Sequence, residues 1–409
     1  MPIATRSPAA DVVRGSRKLP AGLALAVCAA AFFTVYLSAG ALTPLLVEYQ
    51  GDYGFAGSML NLAFAVYAAG FLVAALVLGS LSDHLGRRPV LIASLSVQLG
   101  SSLMFLLGHD LAWVIAGRLV QGIAGGAATG AFSAAMVEYA PAANKRIGAV
   151  LGGVSLTGGL AIGSLVAGWA IESTVHANDV VFIVLIVMTA LGGAGIAFSE
   201  ETVTRTTGAV RSMVPQVAVP ATMRGEFLAA APVIAAVWML AGLSGGLAPS
   251  MVSSVFHHHR PLLGGFAGFI APAVGTLVGV LFANVPSRRA MLIGIHASII
   301  GAVGIIVGTL AEVLPIMLLG QAVSGVAFGA SFTAALGLLI PLALPHQRAG
   351  VVAAIYVVAY VAFGVPITIE GQLVGPWGQV PAVVAYTALT VLLAVLSLIG
   401  QLRIGRQHP

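Results

Sequence analysis

Charged residues interrupt this sequence so rarely that stretch after stretch of about 20 residues contains none, the length one helix needs to cross a bilayer. Among 409 residues, 59% are apolar and 8% charged, against roughly 25% charged in an ordinary soluble domain. Mean hydropathy is +1.04. A water-soluble fold of this length is excluded on those grounds. Disorder is excluded as well, because it needs high polarity and little apolar content. Backbone polar groups in lipid must be satisfied within the segment, so the repeated runs predict helices.

Twelve spans are predicted, over 20–46, 55–81, 90–108, 111–136, 147–171, 179–198, 227–254, 262–283, 290–309, 312–339, 349–369 and 380–400. The expected fold class is an all-α integral membrane protein with twelve transmembrane helices in two six-helix pseudo-symmetric bundles. The tightest turn is at His109 and Asp110, between spans three and four. Arg6, Arg14, Arg17 and Lys18 precede a run that continues to Val47, too long for a cleaved signal segment, so span one is read as retained.

Basic residues set the orientation. If the N-terminus is inside, 16 of the 18 Lys and Arg residues fall in cytoplasmic segments, the exceptions being Arg260 and the intramembrane Arg118. The positive-inside bias therefore predicts an even number of spans, with both termini and the 199–226 loop cytoplasmic. The expected organisation is an N-terminal tail over 1–19, a bundle over 20–198, a linker over 199–226, a second bundle over 227–400 and a C-terminal tail over 401–409. The basic residues are spread over short loops, so the net charge of +5 marks membrane topology and not a nucleic-acid partner.

The two halves share a weak repeat. Gly79–Arg88 aligns with Gly279–Arg288 at an offset of 200, Gly117–Gly122 with Gly320–Gly325 at 203, and Arg146–Gly148 with Arg348–Gly350 at 202. Three matches in order at a nearly constant offset point to parallel repeats meeting at a central pathway.

The segment Gly79-Ser-Leu-Ser-Asp83-His-Leu-Gly86-Arg87-Arg88 resembles the signature loop between helices two and three of the major facilitator superfamily of secondary transporters. Arg118, Gln121 and Gly122 resemble the fourth-helix signature of its proton-driven members. In span five, Gly153 to Gly163 has the glycines of the drug-antiporter signature, but Leu160 stands where that signature has proline. The resemblance implies alternating access and proton-coupled export of a small organic or drug-like compound. Import of a sugar, organic acid or other nutrient is the alternative, and a non-transporting scaffold a distant third. It also implies a plasma-membrane protein, by expectation in a bacterial inner membrane, working as a monomer with a small-molecule substrate, protons and lipids as partners.

Candidate residues form two groups. The resemblance implies a gate in which Arg87 reaches Glu138 while Asp83 approaches the start of helix eleven near Arg348, with Gly86 shaping the turn and Arg88 beside it. The pathway group starts at Arg118, because an arginine inside an apolar span is costly unless paired or hydrated. Gln121 and Thr129 share its helical face, and Gln321, Ser324 and Phe328 are their repeat counterparts on span ten. Tyr36 and Trp238 complete the expected lining from spans one and seven. No acidic residue stands clearly at mid-membrane. Glu370 is read as lying at an outer end, and Glu48, near the end of span one, is the chosen proton acceptor because a partly buried carboxyl suits reversible protonation.

Enzymatic and cofactor chemistry is not expected. The phosphate-loop pattern Gly-x-x-x-x-Gly-Lys-Ser/Thr is missing from the sequence, so direct driving by ATP is not expected. His257, His258 and His259 diverge as consecutive side chains and have no acidic or cysteine partners at ligand spacing, so no metal site is predicted. Cys28, the single cysteine, excludes an intrachain disulfide.

Overall fold

The computed structural model describes residues 18–407. Among them, twelve helices are long and apolar enough to span a membrane. These are α1 (Ala21–Tyr53), α2 (Gly57–Leu78), α3 (Arg87–Leu107), α4 (Leu111–Tyr139), α5 (Arg146–Ser173), α6 (Ala177–Ala197), α7 (Ala221–Ser254), α8 (Pro261–Asn284), α9 (Ser287–Leu310), α10 (Leu314–Leu342), α11 (Pro345–Trp377) and α12 (Gln379–Ile404). One face carries the linker, the α2–α3 loop and the starts of α5, α9 and α11, and is called the basic face. The far face carries the α1–α2 and α7–α8 connections. Arg6, Arg14 and Arg17 lie outside the described residues.

Glycine and alanine set the packing. Apolar attraction between helices is weak in lipid, so close backbone approach does much of the work. A Cβ at Gly122 or Gly126 of α4 would lie 2.3 Å from the carbonyl oxygen of Tyr67 or Phe71 on α2. In the second half, a Cβ at Gly325 or Gly329 of α10 would lie 2.4 Å from Ala271 O or 2.5 Å from Gly275 O on α8. The repeat seen in the sequence is thus the same helix-on-helix contact made twice, 203 residues apart on the glycine side. Lipid-directed faces are apolar, as along α6, where Val180, Ile183, Val184, Val187 and Leu191 are exposed.

The bundles meet along two seams. In one, α5 lies on α8: Ser164 Oγ donates to Gly265 O at 2.9 Å, and a Cβ at Gly168 would stand 2.8 Å from the Gly265 Cα. In the other, α2 lies on α11, with Gly364 against Ala65 and Ala68, and Gly371 against Asn61.

Several boundaries differ from those read in the sequence. α1 runs to Tyr53 instead of stopping at 46, because its last turns are polar and project past the apolar zone while remaining helical. α11 runs to Trp377 instead of 369. The carboxyl of Glu370 had read as the end of the apolar run, yet it is only 2% exposed and sits inside the helix. α12 continues through 400, so the predicted C-terminal tail begins as helix. The abrupt turn before α4 works because Asp110 accepts a hydrogen bond from Trp113 N at 3.0 Å, satisfying one orphan donor of the helix start.

The 199–226 segment is anchored to both bundles. Thr206 N donates to His84 O at 3.0 Å and Ser80 Oγ to Ser212 O at 2.9 Å, which fastens it to the α2–α3 loop. Ala218 N then donates to Gly350 O at 3.3 Å, at the start of α11.

Candidate functional site: a central aromatic chamber and a charged loop on the basic face

At the base of the α2–α3 loop, Gly86 has φ +99° and ψ 153°, a region all but closed to other residues. That turn lets α3 begin at Arg87, whose side chain swings back into the loop. Its Nε and Nη2 donate to Glu138 Oε1 at 3.2 and 3.0 Å, its Nη1 donates to Ser82 Oγ at 2.6 Å, and Nη1 lies 2.5 Å from Asp83 Oδ1. The α3 N-terminus is closed by a residue that no motif singles out. Glu201 of the linker accepts from Arg87 N at 2.7 Å and Arg88 N at 3.1 Å. A carboxylate there meets both unpaired N–H groups and the positive end of the helix dipole.

Asp83 and Arg348 line the same cavity of about 470 Å³ but form no ion pair. Asp83 is held by Arg87 within its own bundle, and Arg348 Nε donates to Ala343 O at 3.4 Å. The expected closure between Asp83 and the start of α11 is therefore not made in this structure.

Arg118 is 2% exposed and does not reach toward a membrane surface. Its Nη1 donates to Gln121 Oε1 at 2.6 Å and its Nε to Ala63 O at 3.3 Å, while the guanidinium lies 4.3 Å from the centre of the Tyr67 ring and 5.0 Å from that of Phe64. Cation–π contact and hydrogen bonds partly replace water around the charge. Gln121 Nε2 donates onward to Ser38 Oγ at 3.0 Å, which also accepts from Gln98 Nε2 at 2.9 Å. Among the described residues, no carboxylate pairs with Arg118.

Glu48 and Arg118 line different cavities. Glu48 borders a far-face groove with His258, His259 and Arg260. α1 carries Glu48, the proton acceptor expected from the sequence, to an exposed position on that groove, and no hydrogen bond or ion pair joins it to Arg118. In the same region Arg260 bonds to Glu172 Oε1 at 2.5 Å across the two bundles, and that hydrogen bond holds the Arg260 guanidinium above its ordinary pKa.

Between the bundles, a chamber of about 100 Å³ is lined by Arg118, Tyr36, Trp238, Ser324, Phe328 and Tyr360, among others. It shares its Tyr36, Trp238, Phe328 and Tyr360 walls with a cavity of about 420 Å³ that reaches Arg146 and Ala283 near the basic face. Trp238 is the hub. Its ring centre lies 4.6 Å from Tyr360, 5.4 Å from Phe332 and 5.6 Å from Phe328. Tyr360 also stacks on Phe71 of the opposite bundle at 4.0 Å. Two donors at the chamber wall, Trp238 Nε1 and Ser244 Oγ, have no partner among the described residues.

Of the remaining pathway candidates, Thr129 is hydrogen-bonded to Tyr36 at 2.8 Å. Gln321 Nε2 turns to Met317 Sδ at 3.3 Å, and Ser324 Oγ bonds back to Gly320 O at 2.9 Å. The sequence reading omitted α2 and α11, which supply Phe64, Tyr67, Tyr360 and Phe363. The i, i+4, i+7 spacing of Tyr356, Tyr360 and Phe363 was the available signal. Helical irregularity also concentrates here. Val154–Gly158 in α5 and Leu243–Leu247 in α7 each form a π-helical turn, and both segments contribute to the chamber wall. In α5 this local widening lies two residues before Leu160, so the helix is distorted there without the proline.

Twelve spanning helices in two similar bundles around a shared chamber define a secondary-transporter architecture. The sequence model of the Major Facilitator Superfamily matches residues 28–402, and the chain belongs to that family. It is 29% identical over 277 residues to the tetracycline resistance protein, class E, of Escherichia coli, covering 63% of this chain and 64% of that protein. It is 26% identical over 113 residues to the quinolone resistance protein NorA of Staphylococcus aureus, covering 28% of this chain and 29% of NorA. The matches thus span less than two thirds of either relative. Among solved structures, a POT family transporter in complex with 5-aminolevulinic acid aligns with a TM-score of 0.74 at 12% identity, over 94% of this chain and 97% of that one. The human organic anion transporter MFSD10 aligns with a TM-score of 0.67 at 15% identity, over 93% and 100%. The chain is a multi-pass membrane protein of this family.

Proposed function

We propose that this transporter exports a small aromatic compound, driven by protons moving the other way. The observation that carries the reading is the chamber itself. It combines an aromatic wall around Trp238 and Tyr360 with a buried arginine that has no counter-ion among the described residues. Free donors at Trp238 Nε1 and Ser244 Oγ add to that polarity. Such a wall favours a planar ligand with acceptor or anionic groups over a cation, since no carboxylate is among the chamber residues. The drug-resistance relatives favour export.

In this reading the basic face is cytoplasmic, both termini lie inside, and the protein works as a monomer in a bacterial inner membrane. Cavities that reach the basic face would then admit substrate from the cytoplasm. The loop around Asp83, Gly86, Arg87, Arg88, Glu138 and Arg348 would govern closure of that side. Arg118, Gln121, Thr129, Tyr36, Trp238, Gln321, Ser324 and Phe328 would serve the pathway.

The test is transport by the purified protein in proteoliposomes with an imposed proton gradient. The panel would include a tetracycline, a quinolone, 5-aminolevulinic acid and aromatic organic anions. Gradient-dependent movement of an aromatic compound against the proton flow is expected. Movement of substrate in the same direction as protons would replace export with import.

A further inference from the structure

Glu370 is the one carboxyl-bearing side chain buried across the seam between the bundles, among the described residues, and the mechanism above does not use it. It is 2% exposed on α11 and faces Asn61 of α2, which is 5% exposed. Asn61 Nδ2 donates to Glu370 Oε2 at 2.8 Å, whereas Oε1 is buried with no hydrogen-bond partner among the described residues. The backbones crowd at this point: a Cβ on Gly371 would lie 2.5 Å from Asn61 Nδ2.

Among the described residues, no cation compensates the site. α2 contains no charged residue, and α7 has only Arg224 and Glu226, both at its basic-face start. α12 brings Tyr386, whose hydroxyl donates to Met239 O at 2.7 Å, and the charged residue within Gln379–Ile404 is Arg403, near its C-terminal end. α10 has no ionisable residue within Leu314–Leu339. On α11 itself the other ionisable groups are Arg348, Tyr356 and Tyr360, and His346 sits in the turn before Arg348 at the opposite end.

We propose that Glu370 is a proton-binding group whose protonation latches the far-face seam between α2 and α11; this deepens, and rests on, the proton-coupling reading above. A carboxylate in a dry seam with one neutral donor and one bare oxygen is costly. A neutral carboxyl keeps the Asn61 bond and offers an O–H that matches the acceptor on the same amide. The closed seam therefore holds the acid, and an open, hydrated seam accommodates the anion. Linkage makes the relation reciprocal, so protons arriving at the far face favour closure there and exposure of the chamber toward the basic face.

The experiment measures seam opening directly. Spin labels would be placed at Gly57→Cys and Trp377→Cys, the far-face ends of α2 and α11, in the full chain carrying Cys28→Ser and reconstituted in lipid nanodiscs. Between roughly pH 5 and 9, the ratio of short to long distances should fall about tenfold or more as pH rises. Glu370→Gln should keep the short distance with less than about a twofold change, and Glu370→Asp should restore the response. Asn61→Ala, which removes the donor while leaving the carboxyl, should lower the short-distance fraction and retain the pH response. A wild-type ratio that ignores pH, a Glu370→Gln ratio that titrates like wild type, or an Asn61→Ala seam identical to wild type would each overturn the latch. Proton-driven export with a seam that titrates without Glu370 would overturn the latch and leave the exporter reading standing. A seam that titrates through Glu370 in a protein that moves no panel substrate would do the reverse.

Discussion

A Cβ on Gly86 would stand 2.6 Å from the Glu201 carboxylate, so the sharpest turn of the α2–α3 loop and the acid that closes α3 occupy one space. Gly86→Ala meets both this clash and a backbone region that costs other residues about 1–3 kcal/mol. Glu201→Ala loses the helix-end contact, about 1 kcal/mol, together with the bonds its carboxylate accepts from Thr202 N and Val203 N within the linker. Thermal unfolding in detergent should therefore rank Gly86→Ala below Glu201→Ala, and both below wild type. Equal midpoints for all three would contradict the shared-space geometry.

Arg87 and Glu138 should behave as a coupled pair. Their side chains are 11% and 30% exposed, so the charges are partly shielded from water. Arg87→Ala also strands the buried Ser82 and releases the exposed Asp83 to water, and should cost more than Glu138→Gln. In a double-mutant cycle read by unfolding, the interaction energy should be about 1 kcal/mol or more. Additive effects would show that the two do not act on one another.

Arg118 is expected to tolerate no simple replacement. Lysine keeps the charge but cannot hold Gln121 and Ala63 O while lying over Tyr67 in the same plane. Arg118→Lys should raise KM for an anionic substrate about tenfold, and Arg118→Gln should lower transport further. Both variants must first be shown to insert and fold. Wild-type transport by Arg118→Gln would remove the residue from the pathway.

The aromatic hub gives a graded prediction. Trp238→Phe retains ring contact with Tyr360 and Phe328 but loses the unpartnered Nε1 donor. Trp238→Ala removes both. Binding of an aromatic substrate, measured by calorimetry or tryptophan-independent competition, should weaken modestly in the first and about tenfold or more in the second, consistent with about 0.5–1.5 kcal/mol for each aromatic contact. Identical affinities for the two variants would put the ligand elsewhere.

How much of this was readable beforehand depended on whether a residue's environment is local. Arg118 stood out because an arginine in an apolar run is anomalous wherever the helix packs. The glycines of α4 and α10 announced the repeat because close backbone contact demands them at fixed spacing. Glu370 was missed for the opposite reason. A carboxyl a few residues from a predicted helix end reads as the end, and only its distant partner Asn61, 309 residues away in the chain, makes it a buried group. Glu201 was equally illegible, since its role depends on where the linker lands against Arg87 and Arg88. The chamber was half foreseen: Tyr36, Trp238 and Phe328 lie in it, but the contributions of α2 and α11 required knowing how the two bundles meet.

The anchored linker also sets a stroke length. Ser212 is tied to Ser80 in the first bundle and Ala218 to Gly350 in the second, leaving six peptide steps between the two anchors. Fully extended, six residues reach only ~21 Å. Any swing of the α11 start away from the α2–α3 loop must stop near that span or break an anchor. While both anchors hold, the segment limits how far the two halves can part, and its length in residues sets that limit.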